Sequence, residues 1–247
     1  MKKKRRMYET TDKFLKALRI RVEKEFGGLG FASFDELNGV KAKEITKRLY
    51  ETLKEFNKDW YRRIALSAMK CAMEQLDAGD IELYIDEDTF VDYLLDMYNG
   101  VTGYLYHPEA ERKRLRLYEE IMTAREFRDR GMLAKAIKKS KMLWLKQSGQ
   151  YAIDIEDEAI IEVWKRMGIK KVRWNTRQDE RVCQECKRRD QKIYDINKVP
   201  IKPHYGDRCW FTPIKEGERT LNNTNSLEKA QITKNRQRSL KNAGGKE

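Results

Sequence analysis

The chain has 247 residues and a net charge of +13, and charged residues make up 38% of it against 40% hydrophobic ones. This composition favours long solvated helices around a modest core and argues against a compact enzyme with a deep cleft. Four cysteines, three of them clustered, do not make a disulfide framework and indicate a reducing compartment. The basic residues 1–6 precede a polar segment where a signal peptide would be apolar, so we expect neither secretion nor a membrane span.

The first half of the chain predicts helices. Apolar residues at helical spacing over residues 14–26 predict the first helix, which Gly27 and Gly28 should end. The longest periodic pattern covers residues 40–76 and predicts a helix that needs a partner along its whole apolar side. An acidic start then predicts another helix over residues 86–98.

Helical patterns continue beyond the midpoint. Pro108 stands at the first turn of a helix predicted over residues 109–130, and a second piece follows over residues 131–145. Residues 155–167 predict one more helix, which Gly168 caps.

The positive charge is concentrated at the two ends of the chain and over residues 111–146, which hold twelve Lys and Arg against five Asp and Glu. Such a distribution suits contact with a polyanion. The lysines that we expect to face it are Lys135, Lys138, Lys139, Lys141 and Lys146. A merely solubilising surface is the alternative, because no aromatic interleaving or groove-reading motif accompanies the charge.

The character of the sequence changes after Gly168. Residues 171–176 alternate like a strand, and residues 192–194 form a second strand candidate. Three of the four prolines follow, so short strands and loops are expected as far as residue 214. Beyond Glu216 the chain is rich in Asn, Lys and Gln with few bulky apolar residues, which predicts a flexible basic tail.

The fold class that follows is mainly α, with a small C-terminal α+β zinc-ribbon-like module and the basic tail. We expect a helical domain over residues 1–150, the Cys/His-containing module over residues 151–214 and the tail over residues 215–247.

Three of the four cysteines and one of only two histidines fall between residues 183 and 209. Two cysteines separated by two residues can grip one ion from a tight turn, and a second pair can close a tetrahedron from the far end of a loop. The ligands that this spacing predicts are Cys183, Cys186, His204 and Cys209.

A structural Zn²⁺ would contribute much of the folding free energy of a loop-rich module of about 40 residues, which has little core of its own. Thiols that pack without metal and a redox pair are the alternatives that stay open. A catalytic metal is not expected, because four protein ligands leave no open position.

The same window resembles the signature of the Mu F-like head morphogenesis family of tailed phages, the minor head proteins found beside the portal. The resemblance covers roughly residues 170–213. Its motif residues are Trp174, Thr176, Asp179, Arg181, Cys183, Cys186, Asp190, Lys192, Ile193, Tyr194, Pro203, His204, Arg208 and Cys209. Two positions depart from the pattern. Gln191 stands where the family usually has Gly, and Asp207 stands where the first cysteine of Cys-Arg-Cys would be.

The resemblance implies a minor capsid protein of the virion head interior, made in the host cytoplasm and associated with the portal protein and the major capsid protein. Contact with packaged double-stranded DNA would be non-specific and electrostatic. We expect no catalytic residue, no small-molecule substrate and no membrane partner, because no Ser–His–Asp order or Gly-rich phosphate loop is present.

Two other functions stay open. A free zinc-ribbon nucleic-acid-binding protein would share the charge and the metal but act away from particles. A metal-dependent nuclease would need a catalytic histidine beyond the structural site, and only His107 is left for that role.

Overall fold

The computed structural model describes residues 7–76, 86–102, 109–177, 179–203, 206–207 and 209–215. Its helices are α1 (Glu9–Phe31), α2 (Gly39–Gln75), α3 (Glu87–Thr102), α4 (Glu109–Glu126), α5 (Arg130–Arg166) and α6 (Gln184–Arg189). Its strands are β1 (Lys171–Asn175), β2 (Ile193–Asp195) and β3 (Trp210–Ile214), and a 3₁₀ turn spans Ile196–Lys198. The prediction of a mainly helical protein with a small sheet near the C-terminal end is confirmed.

The chain divides into two compact units, Met1–Pro213 and Ile214–Glu247. All six helices belong to the first. The predicted tail beyond residue 215 and the basic residues 1–6 lie outside the described residues. The predicted division at residue 150 falls inside α5 and stays a prediction. We call α1–α5 the helical body and residues 171–213 the C-terminal module.

The two longest helices, α2 and α5, run side by side in the same direction. Hydrogen bonds join them at three heights: Tyr50 to Ser140 (3.0 Å), Asn57 to Ser148 (2.8 Å) and Trp164 to the Ala72 carbonyl (3.2 Å). Because both partners advance along the chain together, the helices are parallel. Each of these polar groups is buried, so a slip in register would leave donors without acceptors, which is costly in a core.

Two shorter helices run antiparallel to α5 and cover it from either side. On α1, Thr11 donates to Glu156, whereas Glu23, later in α1, pairs with Lys141, earlier in α5. On α4, Lys113 donates to Gln147 (2.5 Å) and Glu120 pairs with Lys139 (2.7 Å) in the same crossed order. The residues that fill the space between α1, α2 and α5 include Phe14, Leu18, Val22, Tyr61, Ile64 and Trp164, all of them fully buried.

Two predicted helix ends were wrong. The first helix does not end at Gly27 and Gly28 but continues to Phe31, because Leu29 in the next turn is buried in the core. Residues 131–145 and 155–167 form one helix, α5. Ser148, which lies between the two predicted pieces, bonds both Asn57 and Tyr61 of α2.

Two side-chain caps and one glycine define other helix ends. The Asn38 side chain accepts the Lys41 N–H at 3.0 Å and starts α2, and Asp129 does the same for the first turn of α5. Gly168 has φ +79°, the left-handed conformation that ends α5, as predicted. None of the described helices is long and apolar enough to cross a membrane.

A buried polar cluster fixes the module to the helical body. Lys202, whose side chain is fully buried, donates to Asp157 of α5 at 2.9 Å and to the Tyr8 hydroxyl at 2.7 Å, and its ammonium lies 4.0 Å from the Tyr8 ring. Glu156 accepts the Tyr8 N–H at 2.5 Å and also the Thr11 hydroxyl. The start of α1, the middle of α5 and the loop that leads to Cys209 therefore meet at one point.

Candidate metal centre

The module is built around β1. It pairs antiparallel with β2, with Val172 opposite Tyr194, and β3 lies on its other edge. Trp174 of β1 is fully buried and packs edge-on against Phe211 (ring centroids 5.2 Å apart) and Tyr194 (6.3 Å). The role of Trp174 is therefore core packing, as its sequence context had favoured.

Gln191 is one of the two positions that depart from the phage signature, and it lies in a tight turn. Its φ of +61° is left-handed, a region that glycine enters without strain, so the usual Gly of the family suits this turn. The turn is held by the Gln191 N–H, which donates to the Trp174 carbonyl at 2.8 Å. Nearby, Asp190 accepts the Thr176 N–H at 2.8 Å and fixes the end of β1.

The short helix α6 positions two of the predicted ligands. Cys183 is its N-cap residue, and the Cys183 Sγ accepts the Cys186 N–H at 3.3 Å. Two cysteines separated by two residues thus sit on one tight turn at the start of a helix. Cys183 is partly exposed, whereas Cys186 is buried.

A buried cluster forms where α6 meets the segment before β3. The ligand atoms of Cys186, Asp207 and Cys209 all lie within 4.8 Å of one another. The Cys186 thiol donates to Asp207 Oδ2 at 2.9 Å, and the Cys209 N–H donates to Asp207 Oδ1 at 2.7 Å. One carboxylate therefore lies between two thiols, and it is oriented by a backbone N–H.

The electrostatics of this cluster favour an anionic carboxylate and protonated thiols when no cation is bound. Burial, and then the hydrogen bond to Asp207, raise the pKa of Cys209 to about 12 and that of Cys186 further. Burial also raises the pKa of Asp207, but the hydrogen bonds from the two cysteines outweigh it and lower that pKa overall. A divalent cation would replace these thiol protons and remove the reason for the raised values.

The donor set fits a metal ion that accepts sulfur and oxygen. Two thiolates and one carboxylate are common zinc ligands, and a tetrahedral structural site needs one more. The fourth can come from Cys183, one helical turn from Cys186, or from His204, which lies outside the described residues. Cys186, Asp207 and Cys209 could thus hold a metal ion, whose effect would be to tie α6 to β3.

Of the four ligands predicted from spacing, Cys186 and Cys209 are brought together in the described residues. Cys183 contacts Cys186 through its sulfur but is not in the three-residue cluster. Asp207 was not among the predicted ligands, because the resemblance to the phage signature showed only that a cysteine is absent at its position. A signal for it was present, since carboxylates also bind zinc and Asp207 stands at the position of the first cysteine of Cys-x-Cys.

The five lysines predicted to face a polyanion lie on α5 but differ in their surroundings. Lys139 pairs with Glu120 at 2.7 Å, and Lys141 pairs with Glu23. The other three are exposed and have no ion pair with any described residue: Lys135, Lys138 and Lys146. Their spacing of three and eight residues puts them on one exposed side of the helix.

Comparisons with models of protein families, with curated proteins and with solved structures found no match to this chain.

Proposed function

We propose that this chain is a minor head protein of a tailed phage, without enzymatic activity. In this proposal it acts in head morphogenesis beside the portal protein and the major capsid protein, in the interior of the virion head. The observation that carries the proposal is that residues of the phage signature play complementary parts in one small module. Trp174 forms its core, Asp190 holds the end of β1, and Cys186 and Cys209 share a carboxylate.

The proposed metal is a structural Zn²⁺, held by Cys186, Asp207 and Cys209 together with Cys183 or His204. Its chemistry there is to bind thiolates and hold two chain segments, with no reaction at the metal. The support for this role is the size of the elements. The module has strands of five, three and five residues and a six-residue helix, which bury little apolar surface by themselves.

Contact with packaged DNA is the second part of the proposal, and the exposed lysines of α5 support it. Lys135, Lys138 and Lys146 carry charge that no described carboxylate neutralises. Such contacts read phosphate and not sequence, so binding should weaken steeply as salt is raised. Salt-insensitive or sequence-selective binding would count against this part.

The test is quantitative mass spectrometry of purified immature and mature particles of the phage that encodes the chain. A few copies for each portal assembly are expected. Absence from both kinds of particle overturns the head role and favours a free zinc-ribbon nucleic-acid-binding protein. Metal-dependent DNA cleavage that is lost in a His107→Ala variant would instead favour the nuclease.

A further inference from the structure

A hollow of about 400 Å³ lies between α2 and α4, and none of the residues proposed above for metal or DNA lines it. Its lining residues are Lys43, Lys47, Tyr50, Glu51, Lys54, Glu111 and Arg114. Four cations therefore face two carboxylates in a confined space. An excess of positive charge in a concave site attracts anions more strongly than the same charge on a convex surface.

The three lysines form one row on α2. Lys43, Lys47 and Lys54 are separated by four and seven residues, so they lie on the same side of the helix, rising about 6 Å and then about 10 Å along it. Lys47 has a long contact of 3.9 Å to Glu51, and both side chains are mostly exposed. Lys43 and Lys54 form no ion pair with any residue that the structure describes.

Arg114 completes the wall opposite this row. Only 9% of its side chain is exposed, and Glu111 holds its Nε at 2.8 Å and also its Nη2. The remaining nitrogen, Nη1, is buried and has no hydrogen-bond partner among the described residues. A buried charged donor without an acceptor is costly and rare, which points to an acceptor supplied from outside the chain.

We propose that this hollow binds phosphate groups, with Arg114 on one side and Lys43, Lys47 and Lys54 along the other. Turning of the Arg114 guanidinium would bring Nη1 to a phosphate oxygen, and other phosphate oxygens would face the lysine ammonium groups. Phosphate suits the site better than a single carboxylate, because its additional oxygens and charge can engage several cations at once. The phosphate can belong to the backbone of DNA or to a free polyphosphate. The inference rests on the proposed function only for the DNA source.

The experiment compares three triple variants of the full chain that remove equal charge. The first changes the pocket lysines Lys43, Lys47 and Lys54 to Gln. The second changes the α5 lysines Lys135, Lys138 and Lys146 to Gln. The control changes the exposed residues Lys16, Lys24 and Lys171, which have no ion pair in the described part of the chain, to Gln.

Two ligands are titrated against each variant: a short duplex DNA, followed by fluorescence anisotropy over a range of salt, and tripolyphosphate, followed by calorimetry. The pocket variant should lose at least about ten-fold in affinity for tripolyphosphate, whereas the other two variants keep it. If DNA supplies the phosphate, the pocket variant also weakens DNA binding beyond the control, and its salt slope falls by about 2 to 3.

Each outcome decides the inference. Loss of tripolyphosphate binding alone in the pocket variant supports a phosphate site for a small ligand. A pocket variant that matches the control with both ligands overturns the site. If the α5 variant alone loses DNA, the DNA contact of the proposed function stands and DNA is not the source of the phosphate in the pocket. If only the pocket variant loses affinity for DNA, the phosphate site in the pocket is supported and the proposed DNA contact of α5 is overturned.

A second variant tests Arg114 without leaving a buried charge unpaired. Glu111→Gln with Arg114→Gln replaces the ion pair by two neutral amides that can still bond each other. Thermal unfolding checks that this variant is folded. The same loss of tripolyphosphate affinity is expected, and unchanged affinity in the folded variant overturns the role of Arg114.

Discussion

The helical body and the C-terminal module are stabilised in different ways. In the body, two 37-residue helices bury long apolar faces against each other and against α1 and α4. Among the described residues of the module no element exceeds six residues, and the cluster of Cys186, Asp207 and Cys209 is buried there. Long amphipathic helices can be stable through burial alone, whereas short strands and loops need a cross-link or a metal.

The junction between these regions contains a buried polar contact, and the buried apolar side chains of both regions also form one continuous cluster. Lys202 of the module reaches the buried carboxylate of Asp157 in the body, and the two are held by hydrogen bonds and charge. A buried ion pair specifies one geometry more than it adds stability. The polar contact should therefore fix the orientation of the module.

Metal removal should give the largest effect and should affect only the module. Structural zinc contributes on the order of 10 kcal/mol to small modules of this kind. A strong chelator, or Cys186→Ser with Cys209→Ser, should abolish zinc binding and raise amide hydrogen exchange over residues 171–213, with α2 and α5 unchanged. Zinc quantification together with hydrogen-exchange mass spectrometry measures both.

Cys71 provides the matched control for that experiment. It is buried in α2 and does not belong to the three-residue cluster, so Cys71→Ala should keep one zinc for each chain. Asp207→Ala should lower zinc affinity by about ten-fold or more if Asp207 is a ligand. A folded wild-type protein with no zinc, or zinc retained by the double cysteine variant, would contradict the site.

Variants of two buried tryptophans test whether the two regions unfold separately. Trp164 in the body and Trp174 in the module are both fully buried. Trp164→Ala should lower the free energy of unfolding of the body by about 3–5 kcal/mol, because it removes the contacts of α5 with α2 and leaves a cavity. Trp174→Ala should leave that free energy nearly unchanged while the module loses amide protection. Urea unfolding followed by circular dichroism measures the body, and equal losses in the two variants would mean that the regions unfold as one.

The buried carboxyl group of Glu156, near the junction, predicts that the stability of the fold depends on pH. Burial raises the pKa of Glu156 from 4.5 to about 7, so the folded state favours the protonated form. The stability that Glu156 contributes is therefore fully present below pH 4.5 and is lost as the pH rises towards 7, by up to roughly 3 kcal/mol. Glu156→Gln should remove this component, so that the variant gains stability relative to wild type as the pH rises.

Urea titrations of both proteins at several values between pH 4.5 and 7.5 give that difference directly. Because the cluster of Cys186, Asp207 and Cys209 is the same in both proteins, its own pH dependence cancels when the two are subtracted. A constant difference over this range would mean that folding does not raise the pKa of Glu156.

The smallest effect is expected at two of the left-handed positions, Gln191 and Gly168. Gln191→Gly should stabilise the module by up to about 1 kcal/mol, because glycine adopts φ +61° without strain, less what is lost with the side-chain contact to Asn175. Gly168→Ala is the opposite change at the end of α5. It should cost about 1 kcal/mol, and the cost is conformational because a Cβ there meets no atom within 4 Å. Thermal unfolding of the zinc-loaded variants measures both, and a destabilising Gln191→Gly would mean that the side-chain contact outweighs the strain.

Helix positions could be predicted from local spacing, while the joining of helices could not. The periodic patterns over residues 14–26 and 40–76 correspond to α1 and α2. The sequence did not predict that α5 is one continuous helix. Serine is common in loops, and the bonds of Ser148 with Asn57 and Tyr61 of α2 are seen only in the structure. A buried polar residue and a loop residue have the same local appearance, and only its partner distinguishes them.

The ligand window shows the same division between sequence and structure. By itself the sequence determined a mainly helical protein and a cysteine-rich segment near its end, and it predicted Cys183, Cys186, His204 and Cys209 as ligands and a basic stretch over residues 111–146. Only the tertiary structure decided that Asp207 joins those two cysteines and that α2 and α5 run parallel. Spacing along a chain reports which residues share a turn or a helix face, whereas contacts between distant segments depend on how the whole chain packs.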